Sequence, residues 1–369
     1  MLPAEDFGIA QVYDAGRKKI VIFGGVTPMF EKIAAMGHEQ VVLCHDPSVG
    51  YRGIIAIHST VLGPAVGGTR FWPYATEEEA FVDALRLARG MTYKNAVAGL
   101  KCGGGKAVII GDNRRTDREA LFRAHGRFIE RLGGCFITGE DVGTTATDME
   151  YVHMETNFVG GISERGGDPS PWTAQGVFRG IQASAMYKWG ADDLSGNRVA
   201  IQGCGSVGYH LAKALREAGA RLIVADLDPD RARRVAVDFN AVAVEPESII
   251  SVEADIFAPC ALGGIINDHT IPQLRAEIVA GAANNQLLEA RHGEALMTRG
   301  ILYAPDYVIN AGGVINGIIA MNGGDPAQRR SAVYGIYDTL LTLFEMAALE
   351  GIPTFLAADH LAEQRLRSG

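Results

Sequence analysis

An α/β chain of two lobes is predicted here, one lobe of mixed strands and helices and one of the doubly wound parallel type. Three observations lead to it. At 369 residues the chain is too long for one ordinary core and suits two. From about residue 170 short apolar strands alternate regularly with amphipathic helices, whereas the first 150 residues mix the two without that order. Finally, a G-x-G-x-x-G turn at Gly203, Gly205 and Gly208 lies between a predicted strand and a predicted helix of the second half.

The elements follow in order. In residues 42–63 two apolar runs flank a turn of Asp, Pro, Ser and Gly and read as paired strands. Thr76 followed by Glu77–Glu79 reads as a capping box. Phe81, Ala84, Leu85, Ala88 and Met91 recur at helical spacing, predicting a helix of about 15 residues with Lys94 at or just past its end. AVIIG (107–111) is a short buried strand, Asp117–Leu132 a helix, and residues 136–145 a strand broken at Gly139. The domain boundary is placed at 158/159. Pro169, Pro171 and Thr173 precede a helix of about 15 residues ending near Trp189. Next come strand 198–202, the glycine turn, a helix, strand 221–226, helix Pro229–Phe239, strand Val242–Val244, a helix, and strands Ile256–Ala258 and Ile278–Gly281. Ala332–Leu349 is a long helix, and residues 340–369 are expected to return to the first domain.

Composition excludes several function classes. Hydrophobic residues at 47% and charged residues at 21% describe a globular chain. A net charge of −9 without a basic stripe argues against nucleic acid. Five Cys and nine His, none in metal-ligand spacing, predict neither disulfides nor a metal site. The first residues, MLPAEDFG, lack a leader pattern, and no apolar run reaches the roughly 18 residues of a membrane span. A reduced, soluble, cytoplasmic protein is expected. The 46 glycines are clustered, which directs attention to those clusters.

The glycine turn has a physical reading. Gly203 allows the tight turn, Gly205 lets backbone approach a pyrophosphate on the helix N-terminus formed by Ser206 and Val207, and Gly208 permits close packing. Asp226 ends the next strand 18 residues beyond Gly208, where a carboxylate can bind the adenine ribose. With Asp228 and Asp230 nearby, NAD is expected over NADP, although Arg231 could turn inward. The first half contributes GPAVGGTR (63–70), RGMTYK (89–94), GLKCGGGK (99–106) and GEDVGTT (139–145). Lys106 is not a phosphate-loop lysine, because Ala107 follows it. Burial beside a second cation would lower its pKa and fit it for proton transfer. Spacing alone leaves open that Lys94 and Lys106 are solvated and that Asp141 or Glu140 caps a helix.

These segments, with APCALGG (258–264), GAANNQL (281–287) and ILYAPDYVINAGGVIN (301–316), resemble the glutamate/leucine/phenylalanine/valine dehydrogenase family from about Gly37 to Glu363. The resemblance implies a substrate-binding, oligomer-forming first domain, a Rossmann NAD domain and a cleft between them. It implies that Lys94 pairs with the substrate α-carboxylate, assisted by Asn284, and that Lys106 and Asp141 are catalytic. Gly67 and Gly68 would approach the substrate. Thr173, Cys260, Ala261 and Asn284 would lie at the cofactor, with Thr173 near the nicotinamide amide. The implied reaction removes hydride from Cα, adds water to the resulting iminium with help from Lys106, and releases ammonia and a 2-oxo acid. In glutamate members a lysine stands at the position of Val66, so glutamate is a poor substrate. Gly139 and Gly317 enlarge the side-chain pocket, while Val314 is leucine-like. An apolar amino acid is expected, phenylalanine before leucine, with Met and Trp within reach. The competing readings are a non-catalytic NAD-binding sensor and a 2-hydroxy-acid dehydrogenase; the latter lacks its usual His–carboxylate pair.

Overall fold

Alternating apolar runs on either side of Asp46-Pro47-Ser48 close into a hairpin, and the first sheet grows from it. The computed structural model describes residues 28–162 and 167–369, together with the backbone of a paired amino-terminal hairpin, β1 (Ala10–Asp14) and β2 (Arg17–Val21). The segment MLPAEDFG lies outside the described residues. After α1 (Met29–Met36), β3 (Gln40–Asp46) pairs antiparallel with β4 (Tyr51–Ser59). β5 (Ala65–Val66), β6 (Thr69–Trp72), β7 (Gly103–Ile110) and β8 (Phe136–Ile137) complete a mixed sheet of order β3-β4-β7-β5-β8, with β6 also on β7. Helices α2 (Glu77–Val97), α3 (Glu119–Glu130) and α4 (Ala146–His153) cover it.

Helix α2 is six residues longer than the apolar spacing predicts. Thr76 accepts from the Glu79 amide, but Glu79 returns its carboxylate to Ala75 instead of Thr76, so only half of the capping box forms. At the other end Gly99 adopts φ +69°, and Leu100 N–H reaches back to Asn95 C=O, the Schellman arrangement. Lys94 therefore sits inside the last turn. The side-chain amide of Asn95 donates to Gly103 C=O at 2.6 Å, fastening that turn to the start of β7. β7 begins within the glycines themselves, four residues earlier than expected. A Cβ at Gly104 would lie 2.0 Å from the Thr92 amide nitrogen, and one at Gly105 would lie 2.8 Å from the Phe136 ring. The bare backbone lets α2 rest on the strand, which draws Lys94 and Lys106 to one end of the sheet.

The second sheet runs β11 (Val242–Ala243), β10 (Arg221–Ala225), β9 (Arg198–Gln202), β12 (Ile256–Pro259), β13 (Ile278–Val279) and β14 (Leu302–Tyr303). All its pairings are parallel, in the 3-2-1-4-5-6 order of a Rossmann sheet. Helices α5 (Ser170–Trp189), α6 (Ser206–Glu217), α7 (Pro229–Phe239), α8 (Arg291–Thr298), α9 (Asp306–Ile309) and α10 (Gly312–Met321) accompany it. Pro171 and Thr173 lie inside the first turn of α5, not before it. The helix expected after Val244 is absent: residues 246–250 form turns, since the span before Asp255 is too short to nucleate a helix.

The predicted long helix at 332–349 is instead two helices, α11 (Pro326–Tyr334) and α12 (Ile336–Glu350), meeting at Gly335. An 18-residue window within residues 326–350 is long and apolar enough on average to cross a membrane, although charged side chains interrupt it. Leu340, Leu343 and Phe344 of α12 are nevertheless buried in the protein's own core. From the carboxyl-terminal stretch, α13 (Thr354–Ser368) packs on α2.

Candidate active site

Lys106 is 4% exposed, and its Nζ lies 2.9 Å from Asp141 Oδ1. A solvated Lys106 is thereby excluded, and Asp141 is no helix cap, since Thr145 caps α4. The other Asp141 oxygen accepts from Arg70 Nε at 3.1 Å, and Arg70 Nη1 bonds Asp83 at 2.8 Å. Burial alone would raise the Asp141 pKa; Lys106 and Arg70 outweigh it, and the carboxyl is held below its usual range. Lys94 faces this pair from α2. Desolvation lowers its pKa to about 8, opposed by Asp306 and reinforced by Lys106. Desolvation thus depresses the Lys94 ammonium, whereas the sequence points to Lys106 for that depression. Asp306, raised by burial, receives amide protons from Gln286 and Tyr307. Among the described residues no ion pair engages the Lys94 ammonium.

Asn284 is held by Asn310. Asn310 donates from one amide nitrogen to Ala282 C=O at 3.1 Å and to Asn284 Oδ1 at 2.7 Å. The backbone carbonyl fixes which end of Asn310 is nitrogen, so Asn284 must offer oxygen to it and keep its own NH2 free. Gly67 and Gly68 have structural reasons to lack side chains. A Cβ at Gly67 would meet Gly105 C=O at 1.9 Å, and one at Gly68 would meet Glu140 C=O at 2.5 Å. Gly139 and Gly317 differ: a Cβ at Gly139 finds nothing closer than 3.7 Å, and one at Gly317 finds open space. Val66 and Val314 are partly buried against the shared core.

A buried polar chain, invisible to local pattern, supports this floor. Tyr51 OH contacts His125 Nδ1 at 2.8 Å, His125 Nε2 contacts Thr69 Oγ1 at 2.7 Å, and Thr69 meets Thr138 at 2.6 Å. Thr144, whose hydroxyl accepts from the Asp141 amide, joins the chain to the Asp141 loop. Arg70, Asp83, Asp306, Asn310 and this chain were all missed by motif reading. Arg70 alone had a local signal, following Gly67-Gly68-Thr69.

In the second lobe Gly203 takes φ +101°, and a Cβ there would lie 2.8 Å from the Cys260 carbonyl carbon and 2.9 Å from Ala261. Gly208 lies against the Gly203 carbonyl. Gly205 has open space where a side chain would stand, and α6 begins there without a side-chain cap, leaving the amides of Ser206 and Val207 for an anion. A groove of about 420 Å³ beside them is lined by Ser206, Tyr209, His210, Arg231 and Arg234. Asp226 spends one oxygen on Cys204 N–H and the other on Asp228 N–H, so it also holds the turn in shape. Arg231 is tied to Asp228 at 3.3 Å. Thr173, beside Gly313, donates its hydroxyl to Pro169 C=O, which leaves its oxygen as an acceptor. These residues fit a dinucleotide. No His, Cys, Asp and Glu group able to hold a metal occurs among the described residues.

Residues 38–158 match the family described as Glu/Leu/Phe/Val dehydrogenase, dimerisation domain, and residues 230–324 match Glutamate/Leucine/Phenylalanine/Valine dehydrogenase. A leucine dehydrogenase of Geobacillus stearothermophilus is 54% identical, the match covering 92% of this chain and 94% of that protein. The chain belongs to this family. As a Glu/Leu/Phe/Val dehydrogenase it is an amino acid dehydrogenase, an oxidoreductase acting on CH–NH2 donors, with NAD as cofactor. A phenylalanine dehydrogenase of Bacillus thermotolerans is 48% identical over 92% of this chain and 91% of that protein. The crystal structure of L-tryptophan dehydrogenase from Nostoc punctiforme superposes with a TM-score of 0.83 at 49% identity, covering 92% of this chain and 99% of that one.

Proposed function

We propose that the chain catalyses reversible oxidative deamination of an apolar L-amino acid to its 2-oxo acid and ammonia, phenylalanine preferred and leucine a close second. One observation carries the substrate choice: Gly139 and Gly317 are glycines where the surrounding structure would accept a methyl. Their missing side chains leave room for a ring, and Val66 offers no cation to a side-chain carboxylate. Relatives named for leucine, phenylalanine and tryptophan are compatible with a pocket tuned at such walls.

In this reading the uncommitted Lys94 ammonium and the free NH2 of Asn284 grip the α-carboxylate. Asp141, held as an anion, accepts a proton from the amino nitrogen as the lone pair is needed. When bound, NAD supplies the hydride acceptor, held by Gly203, Gly205, Ser206, Val207, Gly208 and Asp226 and bordered by Thr173, Cys260 and Ala261. Lys106, once its ammonium has given up a proton to solvent, takes a proton from water as the oxygen attacks the substrate iminium carbon, and returns it to the departing nitrogen. Asp226 supports NAD over NADP, and the Arg231 guanidinium is engaged by Asp228. A homo-oligomer is also proposed, and light scattering checks it.

The test is kcat/KM for Phe, Leu, Met and Trp, followed at 340 nm with NAD and with NADP. A leucine preference above roughly tenfold, the low end of what one methylene yields in an apolar pocket, ends the aromatic reading.

A further inference from the structure

We propose that Arg70 is a positioning residue for the reaction: it ties off one oxygen of Asp141 and so leaves the other, shared with Lys106, to meet the substrate nitrogen. This rests on the role given to Asp141 above. The two carboxylate oxygens are divided between cations on different strands. Oδ2 accepts from Arg70 Nε at 3.1 Å on β6, and Oδ1 pairs with Lys106 Nζ at 2.9 Å on β7. Arg70 is itself fixed at its far end. Its Nη1 bonds Asp83 Oδ2 at 2.8 Å, and the same oxygen accepts from Tyr74 OH at 2.5 Å. A planar guanidinium anchored at both ends cannot follow Asp141 if that side chain turns, so it sets the plane of the carboxylate.

Lysine and arginine therefore differ in what they can yield. The Lys106 ammonium sits on a flexible stem and can exchange its bond to Oδ1 for one to water or substrate nitrogen. Arg70, pinned by Asp83, keeps its bond throughout. The charged groups facing Asp141 are Lys106 from β7, Arg70 from β6 and Lys94 from α2, with Asp83 behind Arg70 and Glu140 adjoining on its own loop. Removing Arg70 deletes one of the cations that offset the burial of Asp141, and the carboxylate then protonates at higher pH.

The experiment is the pH profile of kcat/KM for amino acid deamination by wild type, Arg70→Met, Arg70→Lys and Asp83→Asn, with NAD affinity read separately by fluorescence. Arg70→Met is expected to move the acid limb upward and to lower kcat/KM on that limb at least about tenfold, one pH unit of displacement being a factor of ten in the active fraction. NAD affinity should stay at the wild-type level. Arg70→Lys, which keeps the charge but cannot bridge two carboxylates, should recover part of the loss. Asp83→Asn should leave the limb in place.

An Arg70→Met limb superimposed on wild type overturns the proposal, as does an equal displacement in Asp83→Asn. Should Arg70→Met fail to fold, Arg70→Lys decides, because a wild-type profile and kcat there show that the two-point hold is unnecessary. Asp141→Asn separates the levels. Full turnover in that variant removes the role of Asp141 itself, whereas an inactive Asp141→Asn with an unmoved Arg70→Met limb removes only the role of Arg70.

Discussion

Lys94 and Lys106 differ in partnership, and their variants should fail differently. Lys106 is paired to Asp141, while Lys94 waits without an anion and has a pKa of about 8. Carboxylate binding needs the ammonium form, so kcat/KM should decline as pH rises above about 8, and Lys94→Arg, which cannot titrate there, should push that decline upward. Lys94→Ser should cost roughly tenfold to a hundredfold in kcat/KM for amino acids, the loss of one charge-assisted bond, and should relax the demand for a carboxylate so that simple amines turn over. Unchanged activity on amino acids alone would remove Lys94 from the site. Lys106→Ala should lower kcat roughly 10²–10⁴-fold with NAD affinity intact, as expected for loss of a proton-transfer group. At this scale the sequence singled out two lysines but not their company. Arg70 and Asp141 are 71 positions apart, and the parallel bridge of Thr69 to Glu140, with Phe71 N–H on Val142 C=O, brings them together.

Among the elements, the pocket walls and the buried polar chain make opposite demands. Gly139→Ala and Gly317→Val should fold normally, since neither new Cβ meets a close neighbour, and should shift preference from phenylalanine toward leucine by roughly 10–200-fold in the ratio of kcat/KM values. The Tyr51–His125–Thr69 chain ties β4, α3 and β6 into one floor. Burial lowers the His125 pKa from 6.5 to about 3. Between those values the unfolded chain binds a proton that the folded chain refuses, so stability is complete above about 6.5 and declines as pH falls toward 3. Urea midpoints at pH 7 and pH 5 should show the decline, and its absence in a folded His125→Leu variant assigns it to this ring. Helix starts at Thr76 and Pro229 were legible because capping chemistry is local. The length of α2 was not, because its last turn is held by a bond from Asn95 to a strand.

Across the whole molecule, the centre of the parallel second sheet could be read from the sequence, because β9, β10, β12 and β13 are mostly buried and apolar. Exposed β11 was legible only by its place in the alternation, and β14 was missed. The joining of the halves could not be read. One core includes Ala96, Val97 and Cys102 of the first lobe together with Val199 and Ile201 of the second, and it is sealed by α13. Arg365 on that helix donates to the carbonyls of Ala96 and Val97, the end of the helix that carries Lys94. The turn that carries Lys94 is thus completed by a side chain 269 positions beyond Ala96, and it stays unfinished until α13 docks. A variant lacking α13 should therefore still take up dinucleotide yet lose turnover of amino acids, which dinucleotide fluorescence and absorbance at 340 nm would show side by side.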